Sequence, residues 1–266
     1  MNIAKALILG IVQGFTEFLP VSSSGHLVIF RQILHTHEAL LFFDVMVHVG
    51  TLLAVVFAFR EELRAMLVSL VPGRGHPDER HLVWLVVAAS IPTVIIALVL
   101  KPLVERAFSS PVAVGAALIV TGFFLFLGER LARETRTLSD FTFTQAVIAG
   151  LFQGLAVFPG ISRSGATISS ALMMGLKKDH AAGYSFIMSI PVILGAAVLE
   201  ARDLPAAGIG GGVVLPTIMA MAAAATSGYI AIRTVYWALR GRRLYGFAVY
   251  CWGVGILTIA WHLISG

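Results

Sequence analysis

The chain carries one unusual stretch twice, and any fold for it must account for both copies. The first is Gln13-Gly14-Phe15-Thr16-Glu17-Phe18-Leu19-Pro20-Val21-Ser22-Ser23-Ser24-Gly25-His26. The second is Gln153-Gly154-Leu155-Ala156-Val157-Phe158-Pro159-Gly160-Ile161-Ser162-Arg163-Ser164-Gly165-Ala166. The copies align without a gap and share Gln13/Gln153, Gly14/Gly154, Phe18/Phe158, Ser22/Ser162, Ser24/Ser164 and Gly25/Gly165. Three differences matter chemically: Glu17 stands against Val157, Ser23 against Arg163, and His26 against Ala166. One copy holds a carboxylate and an imidazole, the other a guanidinium. Those groups complete one site if the copies meet in space.

Composition says where such a meeting takes place. The chain is 58% hydrophobic and 12% charged, and a soluble domain carries about twice that charged fraction. A soluble protein is excluded; this is an integral membrane protein. The single cysteine, Cys251, rules out a disulfide within the chain. The net charge of +5 is expected to report loop orientation, with no nucleic-acid partner. Lys5 precedes an apolar run, but Gln13, Glu17 and Pro20 interrupt it and no small-residue cleavage site follows, so the N-terminus reads as mature sequence.

A membrane-spanning helix needs about 20 mostly apolar residues. Segments 40–59, 82–100, 111–128, 180–200, 213–233 and 244–264 qualify. Four more, 3–18, 23–34, 142–157 and 163–175, are helical in pattern but too short or too polar to span. They form two pairs, each interrupted by proline and small residues at Pro20-Val21-Ser22 and Pro159-Gly160-Ile161. Each pair reads as a re-entrant hairpin, because irregular backbone at membrane depth must be buried in protein or line a polar cavity. The expected fold is therefore an all-α integral membrane protein, with six transmembrane helices, two re-entrant helical hairpins and an inverted-topology repeat. It is one membrane domain over 1–266, with repeats at 1–128 and 141–266. Three spans per repeat force the second copy upside down, with the site at the repeat interface.

Loop charge sets the orientation. Segments 60–81, 129–141, 176–179 and 234–243, with Arg233, fall on one side and hold most of the Lys and Arg residues. The other side holds only Lys5, Arg31, Lys101, Arg106 and Arg202. The basic side is expected to be cytoplasmic, leaving both termini outside. Gly208-Ile209-Gly210-Gly211-Gly212 reads as a flexible outside loop, and residues 72–81 as a polar cytoplasmic one.

At each break one half-helix ends and another starts, presenting free N–H groups and the positive end of its dipole. Ser22, Ser24 and Gly25 in one copy, with Gly160, Ser162 and Ser164 in the other, either cap these helices or bind an anion with them. Capping does not explain Arg163. A buried arginine in a membrane costs about 2.5–3.5 kcal/mol or more on insertion scales. Its fork matches phosphate oxygens, so a phosphate or diphosphate is the expected ligand, and Thr167 adds a hydroxyl one turn later. Glu17 either pairs with Arg163 structurally or, with Gln13 on the same helix face, holds Mg²⁺ or Ca²⁺ beside a phosphate. His26, three residues after Ser23, is structural, activates that serine, attacks phosphorus itself or protonates the leaving group. Asp44 and His48 share a face of the first span, as a cavity lining or a structural pair. Tyr184, Ser185 and Ser189 make a polar stripe. The second break lacks the final glycine of a Gly-x-Ser-x-Gly elbow, which with the composition excludes an α/β-hydrolase.

The stretch at 13–26, with Phe-Pro-Gly-Ile-Ser-Arg-Ser-Gly-Ala-Thr at 158–167, closely resembles the undecaprenyl-diphosphate phosphatase family, whose members are also called bacitracin resistance proteins. The resemblance covers essentially the whole chain, including Phe43-Asp44 and Gly50-Thr51-Leu52-Leu53-Ala54-Val55. It implies a bacterial inner-membrane enzyme, open to the outer face, that converts undecaprenyl diphosphate to the monophosphate and recycles the lipid carrier for peptidoglycan. It also implies divalent-metal dependence and a homodimer. By motif match, Glu17, Ser23, His26 and Arg163 fall on the family's essential positions, while Gln13 stands where many members have a first Glu. Ser23 is the favoured nucleophile, with His26 and water as alternatives. The rival reading is a lipid-phosphate transporter or flippase, since broken helices in inverted repeats also build carriers. An anion channel is weaker, because one arginine makes no ring of charge.

Overall fold

The computed structural model describes residues 2–36, 41–201, 212–241 and 243–265. Leu40, Arg202, Arg242 and most of the glycine loop at 208–212 lie outside the described residues. Those described form eleven α-helices. The first pair is α1 (Ile3–Phe18) and α2 (Ser23–Ile33), followed by α3 (Leu41–Ala58), α4 (Arg60–Ser69), α5 (Pro77–Phe108) and α6 (Pro111–Leu131). After a 3₁₀ turn at Leu138–Asp140 come α7 (Phe143–Leu155) and α8 (Arg163–Met173), then α9 (Lys178–Ala201), α10 (Val214–Arg240) and α11 (Leu244–Ser265).

Six of these helices are long and apolar enough to cross a membrane: α3, α5, α6, α9, α10 and α11. They match the six segments expected from hydropathy. The four short helices also fall where expected, and at about 1.5 Å per residue the 11-residue α2 and α8 are far too short to cross. Two elements differ from the sequence reading. α4 occupies residues read as loop; Glu61 and Glu62 sit in its first turn, where the helix dipole favours acids. α5 starts early because His76 caps it and Pro77 takes the first position, where a missing N–H costs nothing.

Within lipid, helices associate by close packing and hydrogen bonds rather than by the hydrophobic effect. α1 packs on α10 and α7 on α5. A Cβ at Gly10 or Gly14 would lie 2.3 Å from the Ala220 carbonyl oxygen or 2.4 Å from that of Ala224. A Cβ at Gly150 would lie 2.1 Å from the Ala89 carbonyl oxygen, and one at Gly154 2.7 Å from the Ile96 side chain. α1 and α7 thus each dock through a Gly-x-x-x-Gly face on a long apolar helix. α6 packs against α11 and α3 against α9. Phe18, Val55, Phe186 and Ile187 are buried in the main apolar core, with the edge of one Phe18 or Phe186 ring against the face of the other at 5.5 Å.

Candidate active site

Both breaks end up against each other. A Cβ at Gly25 would lie 3.1 Å from the Gly160 Cα. The Gly160 N–H donates to Ser22 Oγ at 3.1 Å, and Ser164 Oγ donates to the Leu19 carbonyl at 3.3 Å. Ser22 caps α2 by accepting from the Gly25 N–H, and Ser162 caps α8 by accepting from the Gly165 N–H. Thr121 of α6 fixes the second break: its hydroxyl donates to the Gly160 carbonyl and accepts from the Ser162 N–H, each at 2.9 Å.

One carboxylate then joins the two copies. Glu17 is 7% exposed. Arg163 Nη2 donates to its Oε1 at 2.6 Å, Ser23 Oγ donates to its Oε2 at 2.6 Å, and Gln13 Nε2 donates to Oε2 at 2.8 Å. Two charge-assisted bonds and an ion pair hold a buried charge that would be costly alone. Beside them lies a cavity of about 220 Å³ lined by Thr16, Glu17, Ser23, Ser24, His48, Gln153, Ser162 and Arg163, and by the apolar Val192, Ile193 and Ala196 of α9. The N–H groups of the first turns of α2 and α8 precede any helical hydrogen bond and suit an anion. The arrangement sets a hydroxyl against one oxygen of a carboxylate and a guanidinium against the other.

The expected residues divide in two. Glu17, Ser23, Ser24, Ser162 and Arg163 line the cavity. Ser22, Gly25, Gly160, Ser164 and Thr167 stand behind it as caps and contacts; Thr167 Oγ1 donates to the Arg163 carbonyl at 2.8 Å and meets Ser185 Oγ. His26 does not meet Ser23. Its Nδ1 contacts the Ser22 carbonyl at 2.8 Å and its Nε2 the Tyr250 hydroxyl at 2.7 Å, with the two rings stacked. The helical spacing that put His26 on the Ser23 face is satisfied by the backbone, but the imidazole folds back one turn onto Ser22. Asp44 and His48 also separate: Asp44 pairs with Arg31, while His48 lines the cavity. In the polar stripe, Tyr184 donates to the Leu85 carbonyl and Ser189 to that of Phe186, so neither faces the site. The structure adds Gln153, which lines the cavity, Tyr250, which holds His26, and Thr121, which braces the second break. Gln153 was marked by the repeat itself; nothing local marks the other two.

No group of three or more His, Cys, Asp or Glu side chains that could hold a metal occurs among the described residues. Gln13 and Glu17 stand side by side as candidate ligands for a divalent cation. Gln13 Oε1 is buried without a partner, and rotation of that amide by half a turn sets it beside the carboxylate. One carboxylate and one amide oxygen fit the protein share of a shell completed by phosphate oxygens and water.

Fold and site together define a polytopic helical membrane protein in which two broken helix pairs bring a hydroxyl, a carboxylate and a guanidinium to one cavity. The sequence model for bacitracin resistance protein BacA matches residues 6–257. An undecaprenyl-diphosphatase of Alkaliphilus metalliredigens is 42% identical, over 99% of this chain and 100% of that one. One of Carboxydothermus hydrogenoformans is 43% identical over 97% of each, and one of Halothermothrix orenii is 41% identical over 97% of this chain and 98% of its own. The chain belongs to the BacA family.

Proposed function

We propose that the protein is an undecaprenyl-diphosphatase, hydrolysing undecaprenyl diphosphate to undecaprenyl phosphate and inorganic phosphate. Acting at the outer face of the bacterial inner membrane, it returns the lipid carrier to peptidoglycan synthesis and confers bacitracin resistance. The observation that carries this reading is Glu17, which holds Ser23 and Arg163 at once. A carrier needs Arg163 to bind an anion; it does not need a serine hydroxyl against a buried carboxylate. The kinship with undecaprenyl-diphosphatases also favours hydrolysis over transport.

In this reading the diphosphate lies between the two breaks with its terminal phosphate at Ser23. Arg163 leaves Glu17 in part to bind the phosphoryl oxygens, and with the half-helix N-termini stabilises the charge that develops there. Glu17, released from one of its bonds, accepts the Ser23 proton. Glu17 and Gln13 would hold Mg²⁺ or Ca²⁺, which neutralises phosphate charge when bound. The apolar α9 side of the cavity suits the first isoprene units.

The proposal extends to topology. The hairpins α1–α2 and α7–α8 are re-entrant, 1–128 and 141–266 are inverted repeats, both termini are outside, and the protein is a homodimer. For the re-entrant, inverted topology, support comes from the loop charges and from the exchange of docking partners, α1 on α10 and α7 on α5. Cysteines introduced at Thr135 and Ser109 should label from the cytoplasmic and outer sides respectively; the reverse would sink this topology. The activity is tested by phosphate release from undecaprenyl or farnesyl diphosphate by detergent-purified protein. Release with Mg²⁺ or Ca²⁺ that EDTA abolishes is expected. No release by folded protein with either ion returns the site to a transporter.

A further inference from the structure

His26 entered as the imidazole of the site, yet both its ring nitrogens are engaged and it is 3% exposed. Another imidazole faces the cavity. His48 lies on α3, one turn after Asp44, and lines the same space as Glu17, Ser23 and Arg163. Its Nδ1 contacts the Asp44 carbonyl at 2.7 Å, and a carbonyl only accepts. Nδ1 therefore carries a proton, and Nε2 is the nitrogen left for the cavity. Thr51 secures the same turn by donating to the His48 carbonyl at 2.9 Å. The charged groups around the ring are Glu17 of α1, near enough to interact electrostatically, Arg163 of α8, and the Asp44–Arg31 pair. α9 brings only Val192, Ile193 and Ala196 to this cavity.

We propose that His48 is the proton donor to the departing lipid phosphate and the base for water in the second half of the reaction. This rests on the phosphatase reading with Ser23 as nucleophile. In the first step Ser23 Oγ bonds to the terminal phosphorus, and the bond from that phosphorus to the bridging oxygen breaks. The serine proton passes to Glu17. The Nε2 proton of the His48 imidazolium passes to the bridging oxygen, which leaves on the lipid monophosphate. In the second step a water oxygen bonds to the phosphoserine phosphorus and gives its proton to His48 Nε2. Ser23 Oγ leaves and takes back the proton held by Glu17. One water is consumed, and both residues return to their starting states.

The test compares wild type, His48→Gln and Ser23→Ala in phosphate release from farnesyl diphosphate. Glutamine keeps a hydrogen-bonding group near the Nε2 position and cannot transfer the proton. The expected result for His48→Gln is a fall in kcat of about 10²–10³-fold with KM within a few-fold. Unchanged inhibition by a methylene-bridged farnesyl diphosphonate shows that the variant's site is intact. A kcat within about three-fold of wild type, or loss of inhibitor binding, overturns the assignment of His48 alone. A wild type that releases no phosphate overturns the function itself.

Discussion

The first break bends its backbone at Ser22, with φ +71°, whereas the second caps with Ser162 at φ −77° and leaves the positive angle, +101°, to Gly160. A serine in that region costs on the order of 1–3 kcal/mol, which glycine largely avoids. The serine is held there because Ser22 Oγ accepts from two backbone donors, Gly25 of its own break and Gly160 of the other. A second contrast follows the same line. The carbonyls at the equivalent positions Pro20 and Gly160 accept from the weak thiol of Cys251 and the hydroxyl of Thr121. The second break is the braced one, and it carries the cation. The first is the strained one, held partly by its partner, and it carries the hydroxyl and the carboxylate. The two copies are alike at their turns and differ at Glu17/Val157 and Ser23/Arg163, so the carboxylate and hydroxyl lie on one break and the guanidinium on the other.

The largest expected effect comes from removing the cation of the second break. Arg163→Ala should lower turnover by about 10³-fold or more. It should also destabilise by roughly 3–5 kcal/mol, because Glu17 loses its partner while buried. Wild-type-like phosphate release from that variant would break the comparison outright. Next is the hydroxyl of the first break. Ser23→Ala should reduce kcat by about 10²–10⁴-fold while leaving inhibitor binding intact; substantial remaining turnover would move the attack to water. Ser22→Ala sharpens the structural contrast. It leaves the buried Gly25 and Gly160 donors without their acceptor, so a loss of about 1–3 kcal/mol is expected in thermal unfolding. An unchanged melting temperature would mean that the breaks do not depend on this bond. The smallest effect is at Tyr250→Phe, which removes one hydrogen bond to His26 and should cost about 1 kcal/mol with kcat within a few-fold. A large loss of kcat there would return His26 to the chemistry.

Much of the fold was legible in the chain. Long apolar runs located all six spans, since helix length and hydropathy are local properties. The repeat located both breaks. Gly10/Gly14 and Gly150/Gly154 carried a docking signal in their four-residue spacing. α4 was missed because Arg60-Glu61-Glu62 reads as a charged loop when nothing says what covers its apolar side. In the site, the complementary charges of Glu17 and Arg163 were legible as a pair. The part of His26 was not: its spacing from Ser23 gave a helix face, and side-chain rotation about that face decided which neighbour it met. Neither Tyr250 nor Thr121 sits near a break in sequence.

By itself, the sequence determined that this is a membrane protein of six spans with two broken helical pairs, and that a carboxylate, hydroxyls and a guanidinium belong to them. Periodicity, composition and repetition are written along the chain. Only the tertiary structure decided that Glu17 bridges Ser23 to Arg163, that His26 turns to Tyr250, and that His48 takes the place facing the cavity. Those choices depend on which atoms of distant helices come within about 3 Å, a distance set by packing and by the pairing of every buried polar group.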